Sequence, residues 1–131
     1  MNRLPIALIL AAALFASCAS KPAVVTDDMT FEQITQRAQE ASDRYDYQAA
    51  LDYYGKGLEL FSSDLSKVAA CTYEIAFIHY KRGAYQLSAD KFKTLFAMYE
   101  QYGAEHPQRY LILARKVYPN VEAKLAEPKT E

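Results

Sequence analysis

The chain has 131 residues, 51% of them hydrophobic and 24% charged, with a formal net charge of −1. That length holds one domain of ordinary size, and four Gly with five Pro exclude collagen-like or low-complexity sequence. The near-balanced charge argues against nucleic-acid binding, which normally needs a basic stripe, and two Cys and two His could build a four-ligand zinc site only by using every one of them.

The N-terminus reads as an address. Met1-Asn2-Arg3 is a short basic start, residues 4–15 are apolar apart from Pro5, and Ala16-Ser17 supplies small residues before Cys18. A basic start, about a dozen apolar residues and a small-residue end describe a secretory signal, whereas a spanning helix needs about twenty apolar residues. The segment Phe15-Ala16-Ser17-Cys18 resembles a bacterial lipobox, with Phe15 standing where that family usually has Leu. The resemblance implies a lipoprotein signal peptide over residues 1–17 and acylation of Cys18, palmitate among the chains. Three acyl chains would hold far more firmly than one. The competing reading is a plain secretory signal cut near Ser17 or Ser20. Ala19 and Ser20 lack the Asp that marks inner-membrane retention in enteric bacteria, so the lipoprotein reading favours the outer membrane, with its periplasmic or surface face left open.

Residues 18–30 carry no periodicity and read as a membrane tether. Thr30 and Gln33 form a capping-box pattern, and Phe31, Ile34, Ala38, Ala41 and Tyr45 follow at helical spacing, which predicts a first helix from about 31 to 44. Asp46 suits the cap of a second helix, and Ser63 or Asp64 that of a third. Gly83 and Gly103 are placed to end the third and fourth helices in the left-handed cap conformation. Pro107 suits the first turn of a fifth helix, Pro119 is expected to stop it, and Asn120 to cap a short sixth running to about Ala126. A polar tail, residues 127–131, closes the chain.

Two stretches share one pattern. Tyr47, Ala50, Leu51, Tyr54, Gly57, Leu58 and Phe61 form an apolar stripe. Each has a counterpart at one constant displacement, that from Tyr47 to Tyr85: Tyr85, Ser88, Ala89, Phe92, Leu95, Phe96 and Tyr99. Gly57 against Leu95 is the poorest pair. The preceding segments align at the same displacement, Ala38 over Ala76 and Ala41 over His79. A repeat of this length points to helix pairs that bury their faces by stacking on one another.

On these residues the chain resembles the tetratricopeptide repeat family, whose period is about 34 residues. The matches are Ala38, Tyr47, Ala50, Tyr54 and Gly57-Leu58 in the first pair, and Ile75-Ala76, His79, Gly83-Ala84-Tyr85, Ser88 and Phe92 in the second. The family's early Trp and closing Pro are absent, Arg37 occupies a usually apolar position, and the spacing is about one helical turn longer. The resemblance implies an all-α fold of antiparallel helix pairs, a short solenoid of two repeats plus a closing helix over residues 31–126. It also implies a groove lined by the first helix of each pair. That places Glu32, Thr35, Gln39, Ser42 and Asp43 on the groove side of the first helix, and Ala70, Tyr73, Phe77, Tyr80 and Lys81 on that of the third. Lys81 is the only nearby cation, which argues against a clamp for a partner's terminal carboxylate.

No catalytic constellation stands out: there is no Gly-rich phosphate loop and no nucleophile–His–acid arrangement at a known spacing. Cys71 lies among Val68, Ile75 and Ile78 and reads as a buried, inert thiol. His79 reads as a packing residue and His106 as a helix-boundary residue. No metal and no cofactor is expected. Tyr73, Phe77 and Tyr80 neighbour one another on one helix face, and with Lys81 they form the expected partner-contact strip, either open or covered by the fifth helix. Residues 27–64 hold nine acidic against three basic side chains, which suits a neutral or basic partner. The expectation is therefore a non-enzymatic, lipid-anchored protein of the bacterial envelope that binds another envelope protein or peptide segment. The alternative is a small-molecule or lipid binder with an apolar pocket between the first, third and fifth helices.

Overall fold

A computed structural model describes residues 23–103 and 106–128. The signal-peptide, lipobox and Cys18 expectations lie outside these residues. The described chain is all-α, with five helices: α1 (Phe31–Asp43), α2 (Tyr47–Leu60), α3 (Leu65–Lys81), α4 (Tyr85–Tyr102) and α5 (Arg109–Ala126).

Each start has a local cause. Thr30 Oγ1 accepts from the Gln33 amide while Gln33 Oε1 accepts from the Thr30 amide, which completes the capping box of α1. Asp46 accepts from the Ala49 amide at the head of α2, and Asp64 from the Ser66 and Lys67 amides at the head of α3. The short turns between α1 and α2 and between α3 and α4 fold those pairs back as antiparallel neighbours.

The helices stack in chain order, each packing on the next, and α5 also reaches α3. Two buried clusters result. Ala38, Ala41, Ala49, Ala50 and Tyr54 of α1 and α2 meet Cys71, Ile75 and Ile78 of α3. On its other side α3 sends Ala69, Tyr73 and Ala76 to meet Ala89, Phe92, Leu95 and Tyr99 of α4 and Ala114 and Val121 of α5. Helix α3 is thus apolar on two faces because it is shared by two cores. Burying a side chain of the size of Phe92 contributes about 2–3 kcal/mol, so the second cluster, richer in rings, carries more of the apolar burial.

The repeat is written into the turns. Asp46 N–H donates to Ala41 O and Ala84 N–H to His79 O; Tyr45 N–H donates to Ser42 O and Gly83 N–H to Tyr80 O. These two bonds of the first turn thus recur in the second at the displacement that relates Tyr47 to Tyr85. The left-handed residue of each turn is Tyr45 (φ 61°) in the first and Gly83 (φ 75°) in the second.

Three expectations about punctuation are corrected. Gly103 ends α4, but at φ −71° rather than in the left-handed region. Glycine eases the packing there, since a Cβ would lie 3.1 Å from Tyr99 Cδ1 and the ring would have to give way slightly. Pro107 precedes the cap residue Gln108 instead of lying in the first turn, and its carbonyl accepts from the Tyr99 hydroxyl at 2.8 Å, closing the α4–α5 connection. Pro119 does not stop α5, and no separate sixth helix forms. Arg115 and Pro119 are both on the exposed side, where water can take the carbonyl that proline leaves without a donor. Ala114 and Val121, fully buried on either side of it, hold the helix on course.

Part of the expected tether belongs to the folded body. Met29 is buried, Asp27 pairs with Lys56 of α2 at 3.2 Å, and Arg37 of α1 donates to the Val24 carbonyl. No described helix is long and apolar enough to cross a membrane.

Candidate functional site: a cleft between three helices

A cleft of about 340 Å³ opens between α1, α3 and α5. Helix α1 contributes Phe31, Glu32, Thr35, Gln36 and Gln39, α3 contributes Ala70 and Glu74, and α5 contributes Tyr110. Tyr54 of α2 reaches between them; it and Ala70 are buried and form the floor. The register is helical: Glu32, Thr35, Gln36 and Gln39 recur at three- and four-residue steps on one face of α1, as Ala70 and Glu74 do on α3.

Glu74 is the chemical centre. It is half-buried, and among the described residues it has no hydrogen-bond or ion-pair partner. Burial pushes its carboxyl above the usual carboxylate range, opposed at a distance by Lys81 and Arg109. Its charge is felt by the surrounding groups. The Tyr54, Tyr73 and Tyr110 hydroxyls are pushed up, by burial first and with a contribution from Glu74 in each case. Burial and the same carboxylate push the Cys71 thiol up to about 12, so at neutral pH it remains a protonated, buried sulfur, as an inert thiol should.

The polar groups on α1 all present acceptors. Gln36 Nε2 donates to Glu40 and Gln39 Nε2 to Asp43, while the Thr35 hydroxyl donates to the Glu32 carbonyl. Each glutamine thereby spends one of its two N–H groups inside the helix. The amide oxygens, the threonine lone pairs and the two carboxylates are what the cleft offers. The space between the first, third and fifth helices is therefore walled by polar groups as well as by rings.

The expected contact strip is divided. Tyr73 is only 6% exposed, packed edge-on against Phe92 and tilted against Tyr110 with centroids 5.7 Å apart. It is a core residue because α5 lies over it, the covered alternative for this end of the strip, so it cannot itself serve as a contact position. Phe77 and Tyr80 continue the ladder, Phe77 stacking on both Tyr73 and Tyr80, and are half-buried. Lys81 is exposed as a residue, but its ammonium is placed: it donates to Ser42 Oγ at 2.8 Å and lies 5.1 Å from the Tyr47 ring and 5.2 Å from the Phe77 ring. It ties the end of α3 to the end of α1 and to the first ring of α2. Ser42, expected on the groove side, is buried in this link.

Elsewhere, His79 Nδ1 is buried with no hydrogen-bond partner, and burial, Arg82 and Lys91 all lower its basicity. Among the described residues no three His, Cys, Asp or Glu side chains gather as a metal site requires. A second cleft of about 490 Å³ lies between α4 and α5, walled by Phe96, Tyr99, Leu111, Tyr118 and Pro119 with Glu100 and Arg115 at its rim.

Sequence reasoning placed Glu32, Thr35, Gln39 and Ala70 in the groove but missed Glu74. The signal was present: between Lys67 and Lys81, Glu74 is the only carboxylate in an otherwise apolar stretch, and it falls one helical step beyond Ala70.

No family model matches the chain, and no curated protein and no solved structure matches it either.

Proposed function

We propose that this chain is a tetratricopeptide-repeat lipoprotein of the bacterial cell envelope, anchored through Cys18, that scaffolds another envelope protein by holding one of its segments against the α1/α3/α5 face. The observation that carries the reading is the cleft itself: three helices from three successive units of a helix-pair stack leave an open, acceptor-lined groove between them. The paired turns, which share two backbone hydrogen bonds and a left-handed residue at equivalent positions of the two units, support the repeat assignment. The signal-like start and the cysteine after it support the anchor. Phe77, Tyr80 and Lys81 extend the contact surface along α3, with Tyr73 supporting them from beneath.

The anchor would sit close to the body. Because Val24 and Asp27 are tied to α1 and α2, the six residue steps from Cys18 to Val24 reach at most about 22 Å. The scaffold would then work at the membrane surface rather than at the end of a long leash.

The test is site-specific photo-crosslinking in intact cells, with the crosslinker at Gln36, at Lys81 and, as a control, at the exposed Lys93 of α4. One discrete adduct from Gln36 and Lys81 and none from Lys93 is expected, together with loss of membrane fractionation in Cys18→Ala. Equal labelling at all three positions, or no adduct at any, would sink the scaffold reading.

A further inference from the structure

We infer that the α1/α3/α5 cleft receives the cationic end of a lysine or arginine side chain presented by an extended partner segment, with Glu74 as its counter-ion. This rests on the scaffold reading and adds the chemistry of what is held.

Three independent features point to a cation. Glu74 lies in the cleft wall with no ion-pair partner among the described residues, and no basic side chain lines the cleft. A half-buried carboxylate with no partner of its own is open to an incoming ammonium or guanidinium, with which it can form a charge-assisted hydrogen bond. Next, the α1 wall is rich in acceptors: one N–H of Gln36 and one of Gln39 go to Glu40 and Asp43 and the Thr35 hydroxyl to the Glu32 carbonyl, which leaves the amide and hydroxyl oxygens free to accept. An anionic ligand would meet the Glu32 and Glu74 carboxylates, whereas a guanidinium with five N–H groups finds amide oxygens and carboxylates. Third, the remaining walls are the rings of Phe31, Tyr54 and Tyr110, whose faces attract cations. The protein already uses this attraction at the margin, where the Arg109 guanidinium lies 5.6 Å from the Tyr110 ring.

The wider charge distribution agrees. Residues 27–64 carry nine acidic and three basic side chains, and one of the acids, Glu32, lines the cleft beside Glu74. A peptide segment is the fitting occupant because the α1 wall extends from Phe31 to Gln39, about 12 Å along the helix axis. That is room for several extended residues around one inserted side chain.

The test uses the full chain in detergent and two end-blocked pentapeptides, Ala-Ala-Arg-Ala-Ala and its analogue with neutral citrulline in place of arginine. Heteronuclear NMR titration is expected to shift Gln36, Ala70, Glu74 and Tyr110, with the arginine peptide binding about tenfold more tightly than the citrulline peptide. Glu74→Gln keeps the shape of the side chain and should abolish that preference, while the exposed Glu32→Gln should reduce it less. Gln36→Arg, at an exposed position of α1, supplies a competing guanidinium and should block the peptide without disturbing the fold. Equal affinity for the two peptides, shifts confined to other surfaces, or unchanged binding by Glu74→Gln would each overturn the inference. The two readings fail separately. A Gln36 adduct in cells with no arginine preference leaves a scaffold that does not read charge. Arginine-selective binding at the cleft with no adduct in cells keeps the site and removes the scaffold.

Discussion

The two helix pairs are built on the same frame and filled differently. Ala38 and Ala76 are equivalent and both fully buried, as are Ala50 and Ser88 and the rings of Tyr54 and Phe92. The frame departs at Gly57, whose counterpart is Leu95. A Cβ at Gly57 would lie 2.9 Å from Cys71 Sγ, because α2 closes tightly on α3. Leu95 fills the wider space that α4 shares with α5. The first pair thus gains its stability from close approach of small residues, the second from bulk. One fold position tolerates opposite residue sizes because what lies behind it differs.

Exchanging the logic of the two pairs should break the protein in opposite ways. Leu95→Ala opens a cavity under α5 and should cost about 3 kcal/mol in denaturant unfolding. Gly57→Ala adds a single methyl to a site with no room and should cost about 1–2 kcal/mol, even though alanine is the better helix former. Combining it with Cys71→Ala removes the colliding sulfur, so the double variant should lose clearly less than the two singles summed. Strict additivity would mean that the helices can part freely and that close packing is not what selects glycine.

The turns sharpen the comparison at smaller scale. Gly83 and Tyr45 hold the same left-handed conformation, which suits glycine and strains tyrosine. A Cβ at Gly83 meets nothing closer than Tyr85 Oη at 4.0 Å, so Gly83→Ala tests backbone strain alone and should cost about 1 kcal/mol. Tyr45 is 79% exposed, with one edge-on contact to Tyr47, so Tyr45→Gly should gain about half a kcal/mol. Thermal unfolding of the two variants, read as shifts of opposite sign, checks both.

Much of this frame was legible in the sequence because stripes and caps are local. The α1 capping box, Asp46 and Asp64 all follow from side chains a few positions apart, and the repeat follows from laying one such stripe over the other. Pro119 misled because its meaning depends on Ala114 and Val121, which pack on α4 and carry the helix past it; nothing within a turn of the proline reports that. Gly103 misled for the same kind of reason: its glycine answers to the Tyr99 ring rather than to φ. The aromatic strip was found as a strip. Whether it faced water depended on where α5 lies, and its Tyr73 end is closed. The centre of the cleft escaped because isolated acids on helices are usually solvated, and Glu74 becomes unusual only when Tyr54 and Tyr110 arrive from other helices.

Glu74 itself gives the finest contrast between the pairs, since its counterpart in the first pair is the neutral, exposed Gln36. Burial raises the Glu74 carboxyl above its ordinary value of 4.5, so the folded chain holds that proton more tightly than the unfolded chain does. The resulting stability is fully present below the ordinary value and is lost as pH rises through the folded one. Asp64 runs the other way: hydrogen bonds from the Lys67 amide and side chain lower it, and its contribution is lost on acidification. Raw melting curves mix the two, but the difference between the native chain and Glu74→Gln isolates the cleft. The advantage of the glutamine variant should be smallest below the ordinary carboxyl value and grow as pH rises through the raised value of the folded chain, where the native carboxylate ionises. A flat difference would show that the carboxylate is as well solvated folded as unfolded, and the cleft would lose its reason to bind a cation. A rising one means that the native residue carries a stability penalty at neutral pH that glutamine avoids, the pattern expected where a side chain is kept for what it binds.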